Sequence, residues 1–199
     1  MRQPCVFFDR DGIVNMPPPE GRRYIERPEE FVVLPEFLAA LRVVQARGYA
    51  AVIVTNQKGV ATGDIAPEAL AAMHRRLQDA VRRAGLRALA DIRVSTAADD
   101  AHPDRKPNPG LLLAAARDHG FDVRRSWMIG DHERDIEAGR RAGCRTVRVG
   151  GTQPTAADFR VPDMGQLAAW LEKHLDSAVD NTTKHAKGAK NIDDQFAGN

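Results

Sequence analysis

The first apolar run of the chain stops on two carboxylates one residue apart, Val6-Phe7-Phe8-Asp9-Arg10-Asp11-Gly12. On an extended chain residues i and i+2 share a face, so Asp9 and Asp11 are expected side by side. Arg10 is then expected on the opposite face, in a structural or rim role. Two like charges that close repel and hold their protons more tightly unless a cation or a shared proton intervenes. The pair therefore suggests a divalent metal, acid/base chemistry, or both. Taken alone, Asp-x-Asp-Gly is as readily a polar strand end before a glycine turn.

Three further clusters decide between these readings. Thr55-Asn56 ends a second apolar run, Lys106 sits in Arg105-Lys106-Pro107-Asn108-Pro109-Gly110, and Asp131 and Asp135 follow Ser126-Trp127-Met128-Ile129-Gly130. Each has a plain structural reading: a capping hydroxyl, a solvated lysine, acids at a helix N-terminus. Together they supply carboxylates, a hydroxyl and a cation at the ends of successive strands, an inventory that fits phosphoryl transfer. Three carboxylates can hold Mg²⁺, a hard cation that prefers oxygen. With Lys106, Thr55 and backbone N–H groups, the metal would neutralise phosphoryl oxygens. One carboxylate can attack phosphorus to form an acyl phosphate, and a second can donate to the leaving alcohol and later activate water.

The elements that must position these residues are legible from periodicity. Continuous apolar runs predict strands at 5–8, 50–54, 126–129 and 146–149, a weaker strand at 92–94 and an edge strand at 159–161. Helices are expected at 36–47, 67–84, 109–119, 133–142 and 164–175, several closed by glycine. Pro17, Pro18 and Pro19 open an extended loop that runs to Arg27. Alternating strands and helices, with strands apolar on both faces, imply an α/β, doubly wound, mostly parallel Rossmann-like sheet with helices on both faces. In such a sheet ligands bind beyond the carboxyl ends of the strands, where these residues fall. Predicted elements fill the intervals from Asp9 to Thr55 and from Thr55 to Lys106, leaving no room for a large cap domain.

Composition narrows the class. The 199 residues, 43% hydrophobic and 28% charged, suit one globular domain, expected at 1–175. From residue 176 the pattern dissolves into polar residues, which reads as a disordered tail. Twenty-nine basic against 27 acidic side chains give +2, too balanced to make nucleic acid or an anionic membrane the main partner. No apolar run approaches the roughly 20 residues that span a bilayer. Two cysteines, Cys5 and Cys144, form no framework and suggest a reducing compartment. A cytoplasmic monomer acting on a small phosphorylated metabolite is the expectation, with no nucleic-acid or membrane partner.

With these residues in view, the chain resembles a haloacid dehalogenase (HAD) superfamily phosphatase, and within it the heptose-1,7-bisphosphate and histidinol-phosphate phosphatase group. The matching segments are Phe8 to Asn15, Val54 to Gly59, Arg105 to Gly110 and Gly130 to Ile136, in the family's order. The resemblance implies that Asp9 is the nucleophile and a Mg²⁺ ligand. Asp11 is then the general acid/base and lends its backbone carbonyl to the metal, which Asp131 completes. Thr55 and Lys106 would hold phosphoryl oxygens, and Asp135 would orient Lys106 or the metal's waters. Asn56, Gln57 and Arg105 would face the substrate, with the loop around Arg22 and Arg23 closing over it.

Many heptose bisphosphate phosphatases carry a Cys/His zinc loop before the Arg-Lys-Pro segment. Here Ser95 to Asp104 offers one histidine, His102, and no cysteine, so no zinc is expected. Histidinol phosphate stays open as a substrate. A phospho-accepting receiver module stays open as a different class, although in a receiver the phospho-acceptor precedes the Thr and Lys and no late carboxylates follow.

Overall fold

The computed structural model describes residues 2–177, and the tail expected from 176 lies almost wholly outside them. Six strands form one parallel sheet: β1 (Cys5–Phe8), β2 (Ala50–Asn56), β3 (Asp91–Ser95), β4 (Trp127–Gly130), β5 (Arg145–Val149) and β6 (Phe159–Val161), in the order β3-β2-β1-β4-β5-β6. The order reverses direction at β1, which lies between β2 and β4. That reversal opens a crevice at the carboxyl ends of β1 and β4, the place where doubly wound sheets bind ligands.

β1 shows why this sheet needs cover on both sides. Val6 and Phe8 enter one apolar core with residues of α1 (Pro35–Ala46), α3 (Pro67–Arg83) and α6 (Met164–His174). Cys5 and Phe7 enter a second core with α4 (Gly110–His119) and α5 (Glu133–Ala142). All four β1 side chains are fully buried, as the period of two requires when both faces are covered. Phe8 meets Phe37 of α1 edge to face at 5.4 Å between centroids.

Two features were not visible in the periodicity. β2 continues through Thr55 to Asn56, and the Gln57 N–H still bonds Ser95 O at 2.7 Å, which carries the strand geometry one residue further. A four-residue helix, α2 (Gly59–Thr62), follows at once. Gly59 permits it: a Cβ there would lie 2.9 Å from Ile65 and 3.0 Å from Tyr24. Between β1 and α1 the chain makes a loop with one 3₁₀ turn (Pro28–Glu30), pinned by bridges between Asn15 and Val33 and between Asp11 and Asn15.

Candidate active site

The Asp9 N–H bonds Ile129 O at 2.9 Å, so Asp9, the residue after β1, is still held to β4. Its carboxylate is 5% exposed. Lys106 arrives from the turn before α4 and places Nζ 2.5 Å from Asp9 Oδ1, 2.8 Å from Val54 O and 2.7 Å from Asp135 Oδ1. The first two are hydrogen bonds, and the third is an ion pair whose Asp135 Oδ1 accepts no hydrogen bond among the described residues. An ammonium has three hydrogens, so Lys106 can orient the Asp9 carboxylate and keep one hydrogen for a further acceptor. Asn56 fixes Lys106 in turn: its Nδ2 donates to Lys106 O at 2.9 Å, and its Oδ1 accepts from Lys106 N at 3.1 Å.

Asp135 is fully buried in the first turn of α5 and also accepts the His132 N–H at 3.0 Å. Burial, and next the charge of Asp135, push Asp9 up to about 7, against the opposing pull of Lys106. Asp11 is the weakest of the influences on Asp9. The like charge that bears most on Asp9 is thus Asp135, from the helix that follows the neighbouring strand β4. Burial works against the charge on Lys106, but Asp135 and Asp9 more than offset it and raise the ammonium above its usual range.

Asp9 and Asp11 do not lie on a continuous strand. β1 ends at Phe8, and a turn follows in which the N–H groups of Ile13, Val14 and Asn15 all point at Arg10 O. The turn brings Arg10 and Asp11 together, against the expectation that Arg10 faces away. Arg10 Nη2 contacts Asp11 Oδ2 at 2.9 Å and Oδ1 at 3.0 Å, with the guanidinium fully buried over the Phe31 ring at 5.5 Å. Asn15 Nδ2 donates to Asp11 Oδ1 at 2.9 Å, and Gln57 Nε2 donates to Oδ2 at 3.0 Å. Gln57 was expected to face the substrate. Instead it is 1% exposed and shares Nε2 with Thr55 Oγ1 at 2.8 Å, because residues 55 and 57 lie on the same side of the extended backbone. Arg10 and Asn15 are site residues that spacing alone did not identify, although both lie inside the Asp-Arg-Asp-Gly…Asn segment. His74 of α3 is held neutral in the surroundings of this clamp, brought down to about 4 by burial and then by the Arg10 charge.

Asp131 leaves the end of β4 beside Gly12. A Cβ on Gly12 would sit 2.4 Å from Asp131 Oδ2, and Gly12 has φ +88°, so only glycine fits both the turn and the carboxylate. The His132 ring bonds Asp131 Oδ1 at 2.8 Å, and that hydrogen bond raises the imidazole above its usual range. Asp131, His132 and Asp135 offer ligand atoms within 4.8 Å of one another. His102 is outside that cluster, and its Nδ1 accepts the Asp104 N–H at 3.2 Å.

The site opens into a cleft of about 370 Å³, a size suited to a small metabolite. Asp11, Asn56 and Asp131 line it together with five cations, Arg22, Arg23, Lys58, Arg105 and Arg134, and with Pro17, Pro18, Tyr24 and His132. Arg22 is tied to Glu30 at 2.9 Å and Arg105 to Asp100 at 2.7 Å. Lys58, Arg23 and Arg134 have no carboxylate partner among the described residues.

A parallel sheet of this order, with Asp9 and Asp11 after its first strand, Lys106 against Asp9, and Asp131 and Asp135 after the fourth, has the architecture of a HAD hydrolase. A family model described as HAD-hydrolase-like matches residues 104–166. The chain is 36% identical over 149 residues to the D-glycero-beta-D-manno-heptose-1,7-bisphosphate 7-phosphatase of Mesorhizobium japonicum, covering 70% of this chain and 66% of that protein. It is 34% identical over 158 residues to the enzyme of the same name from Rhodopseudomonas palustris, covering 75% and 85%. Among solved structures, the D,D-heptose 1,7-bisphosphate phosphatase of B. bronchiseptica, complexed with magnesium and phosphate, superposes with a TM-score of 0.74 at 28% identity, over 86% of this chain and 99% of that one. The chain belongs to the HAD phosphatase family that contains these heptose bisphosphate 7-phosphatases.

Proposed function

We propose that this protein is a Mg²⁺-dependent phosphatase that hydrolyses one ester of a small sugar bisphosphate through a phosphoryl group held on Asp9. The observation that carries this reading is the buried Asp9–Lys106–Asp135 arrangement beside a clamped second carboxylate, opening onto a cation-lined cleft. Asp9 Oδ1 is held by Lys106, and Oδ2 takes no hydrogen bond among the described residues, which leaves it for phosphorus. Attack by Oδ2 forms the P–O bond to Asp9 and breaks the ester P–O bond. Asp11 gives its proton to the departing alkoxide oxygen. The Asp11 carboxylate then takes a proton from water, and the hydroxide attacks phosphorus, returning phosphate and free Asp9.

The residues present fit a hard cation. Every donor is oxygen, the Asp131 carboxylate occupies the space a Cβ on Gly12 would fill, and the excess of negative charge around Asp9 is not cancelled by Lys106 alone. Asp9, the Asp11 carbonyl and Asp131 would hold Mg²⁺. When bound, the metal supplies charge that lets an anionic phosphoryl group approach an anionic carboxylate.

The cleft favours heptose 1,7-bisphosphate over histidinol phosphate. A second phosphate suits Lys58, Arg23 and Arg134, whereas the ammonium of histidinol phosphate would face like charge. The buried thiols of Cys5 and Cys144 are both free, which supports a reducing, cytoplasmic setting, and no helix among the described residues is long and apolar enough to cross a membrane. We read the protein as a monomer, since its large exposed apolar side chains among the described residues are few: Met16, Val32, Leu113 and Phe159. Phosphate release from a metabolite panel with Mg²⁺ tests the reading. Turnover is expected on D-glycero-D-manno-heptose 1,7-bisphosphate and is expected to vanish in Asp9→Asn. Wild-type rates in Asp9→Asn would overturn it.

A further inference from the structure

From Thr96 to Arg105 no residue is buried, so this loop, which meets the cleft through Arg105, has no apolar anchor. It is nevertheless folded into tight turns. His102 N bonds Asp99 O at 3.2 Å, Arg105 N bonds His102 O at 3.0 Å, and Ala101 N bonds Asp99 Oδ1 at 2.9 Å. These bonds shape the loop without tying it to the domain. Two backbone bonds, Gly110 N to Pro103 O at 3.0 Å and Asn108 N to Arg105 O at 2.8 Å, hold its far end to the turn that enters α4. The middle is held by Asn108. Its Nδ2 donates to Asp100 O at 3.2 Å and to His102 O at 3.0 Å, and its Oδ1 accepts from Arg141 Nη1 of α5 at 2.9 Å.

Arg105 depends on that hold. Its side chain is 14% exposed and is oriented by two groups of the same loop, the Ala97 carbonyl at 3.2 Å and the Asp100 carboxylate at 2.7 Å, the latter 86% exposed. An exposed ion pair positions little by itself. The pair has a fixed place because the Asp100 backbone does, and Asn108 fixes the Asp100 backbone.

We propose that Asn108 is a positioning residue for substrate selection: it clasps the 99–105 loop to α5, holding Arg105 at the cleft wall against the part of the substrate remote from the reacting phosphoryl group. The proposal rests on the bisphosphatase reading. Asn108→Ala removes the clasp. Asn108→Asp keeps the acceptor for Arg141 but lacks the donor for the two carbonyls, so it should behave as the alanine variant does. With D-glycero-D-manno-heptose 1,7-bisphosphate, both are expected to raise KM about tenfold with kcat within about twofold of wild type, the loss of two hydrogen bonds acting on binding alone. With p-nitrophenyl phosphate, which has no remote phosphate, kcat/KM should stay within about twofold. In an Arg105→Ala background, Asn108→Ala should change KM for the bisphosphate little further, because Asn108 acts through Arg105. An equal loss on both substrates, or an unchanged KM for the bisphosphate, would overturn the proposal.

Amide hydrogen exchange reads the clasp without turnover. In Asn108→Ala the amides of Ala101, His102 and Arg105 are expected to exchange about tenfold faster or more, with the interior of α4 unchanged. Unaltered exchange in the loop would sink the clasp even if the bisphosphate proves to be the substrate. Faster loop exchange in a protein that turns over neither ester would instead fault the bisphosphatase reading.

Discussion

Replacing Asp9 with asparagine should make the metal-free protein more stable. In the folded chain Asp9 is held from the ordinary carboxylate value of 3.8 up to about 7 by burial and by Asp135. An unfolded chain releases that proton near pH 4, while the folded chain keeps it until about pH 7. Between those values the unfolded state binds fewer protons, so folding stability falls as pH rises and levels off above the folded value. Three pH units and a little more between 3.8 and about 7, at roughly 1.4 kcal/mol each, amount to about 4 kcal/mol. Asp9→Asn is nearly isosteric, can still accept from Lys106 Nζ, and does not titrate. In excess chelator at pH 8 it should therefore be more stable than wild type by up to about 4 kcal/mol. A kcal/mol moves the Tm of a domain this size by roughly 2–4 °C, so a rise on the order of 10 °C is expected. Near pH 4 the two curves should converge. Saturating Mg²⁺ should narrow or reverse the gap, because it stabilises the carboxylate form by mass action, about 2.7 kcal/mol at a hundred times Kd. Calorimetric scans of both proteins at several pH values, with chelator and with Mg²⁺, read all of this. An Asp9→Asn protein that melts at or below wild type at pH 8 in chelator would refute the reasoning.

Three other substitutions test the surrounding parts. Lys106→Met leaves Asp9 and Asp135 facing each other without a cation, and should cost about 3–5 kcal/mol at pH 8 by urea denaturation. The loss should be smaller at pH 5, where Asp9 can take up a proton. Gly12→Ala combines φ +88° with a contact of 2.4 Å to Asp131 Oδ2. Titration calorimetry should show Mg²⁺ binding weakened by about tenfold or more, with about 1–2 kcal/mol of stability lost to the left-handed backbone. Gln57→Leu removes a donor from both Asp11 and Thr55 while filling the same volume. Steady-state assays should show kcat lowered by about ten- to a hundredfold with KM little changed, as expected when proton transfer is mispositioned.

The strand ends were legible because apolar runs in this chain stop abruptly on polar residues, and a parallel sheet places all such ends on one edge. What periodicity could not show is which polar groups meet there. Asp135 bears on Asp9 more than Asp11 does because β4 pairs with β1, a neighbour relation set by the sheet order and absent from local spacing. Asp9 and Asp11 lie where the chain has already left the strand, whereas Thr55 and Gln57 share a face because the extended geometry of β2 runs on. Arg10 turns toward Asp11 because three N–H groups converge on its carbonyl, a turn that no hydrophobic pattern encodes. Half of the residues lining the cleft come from 17–24 and 105, loop positions whose side chains follow no period.

The central claim is that the phosphoryl group passes through Asp9. Mg²⁺-loaded protein mixed with D-glycero-D-manno-heptose 1,7-bisphosphate, quenched during turnover and reduced with borohydride, should carry homoserine at position 9, because reduction cleaves an acyl phosphate to the alcohol. Peptide mass spectrometry would locate it. Homoserine at position 9 in wild type and none without substrate is the predicted result. Turnover that leaves Asp9 unreduced, or homoserine at position 11, would contradict the account.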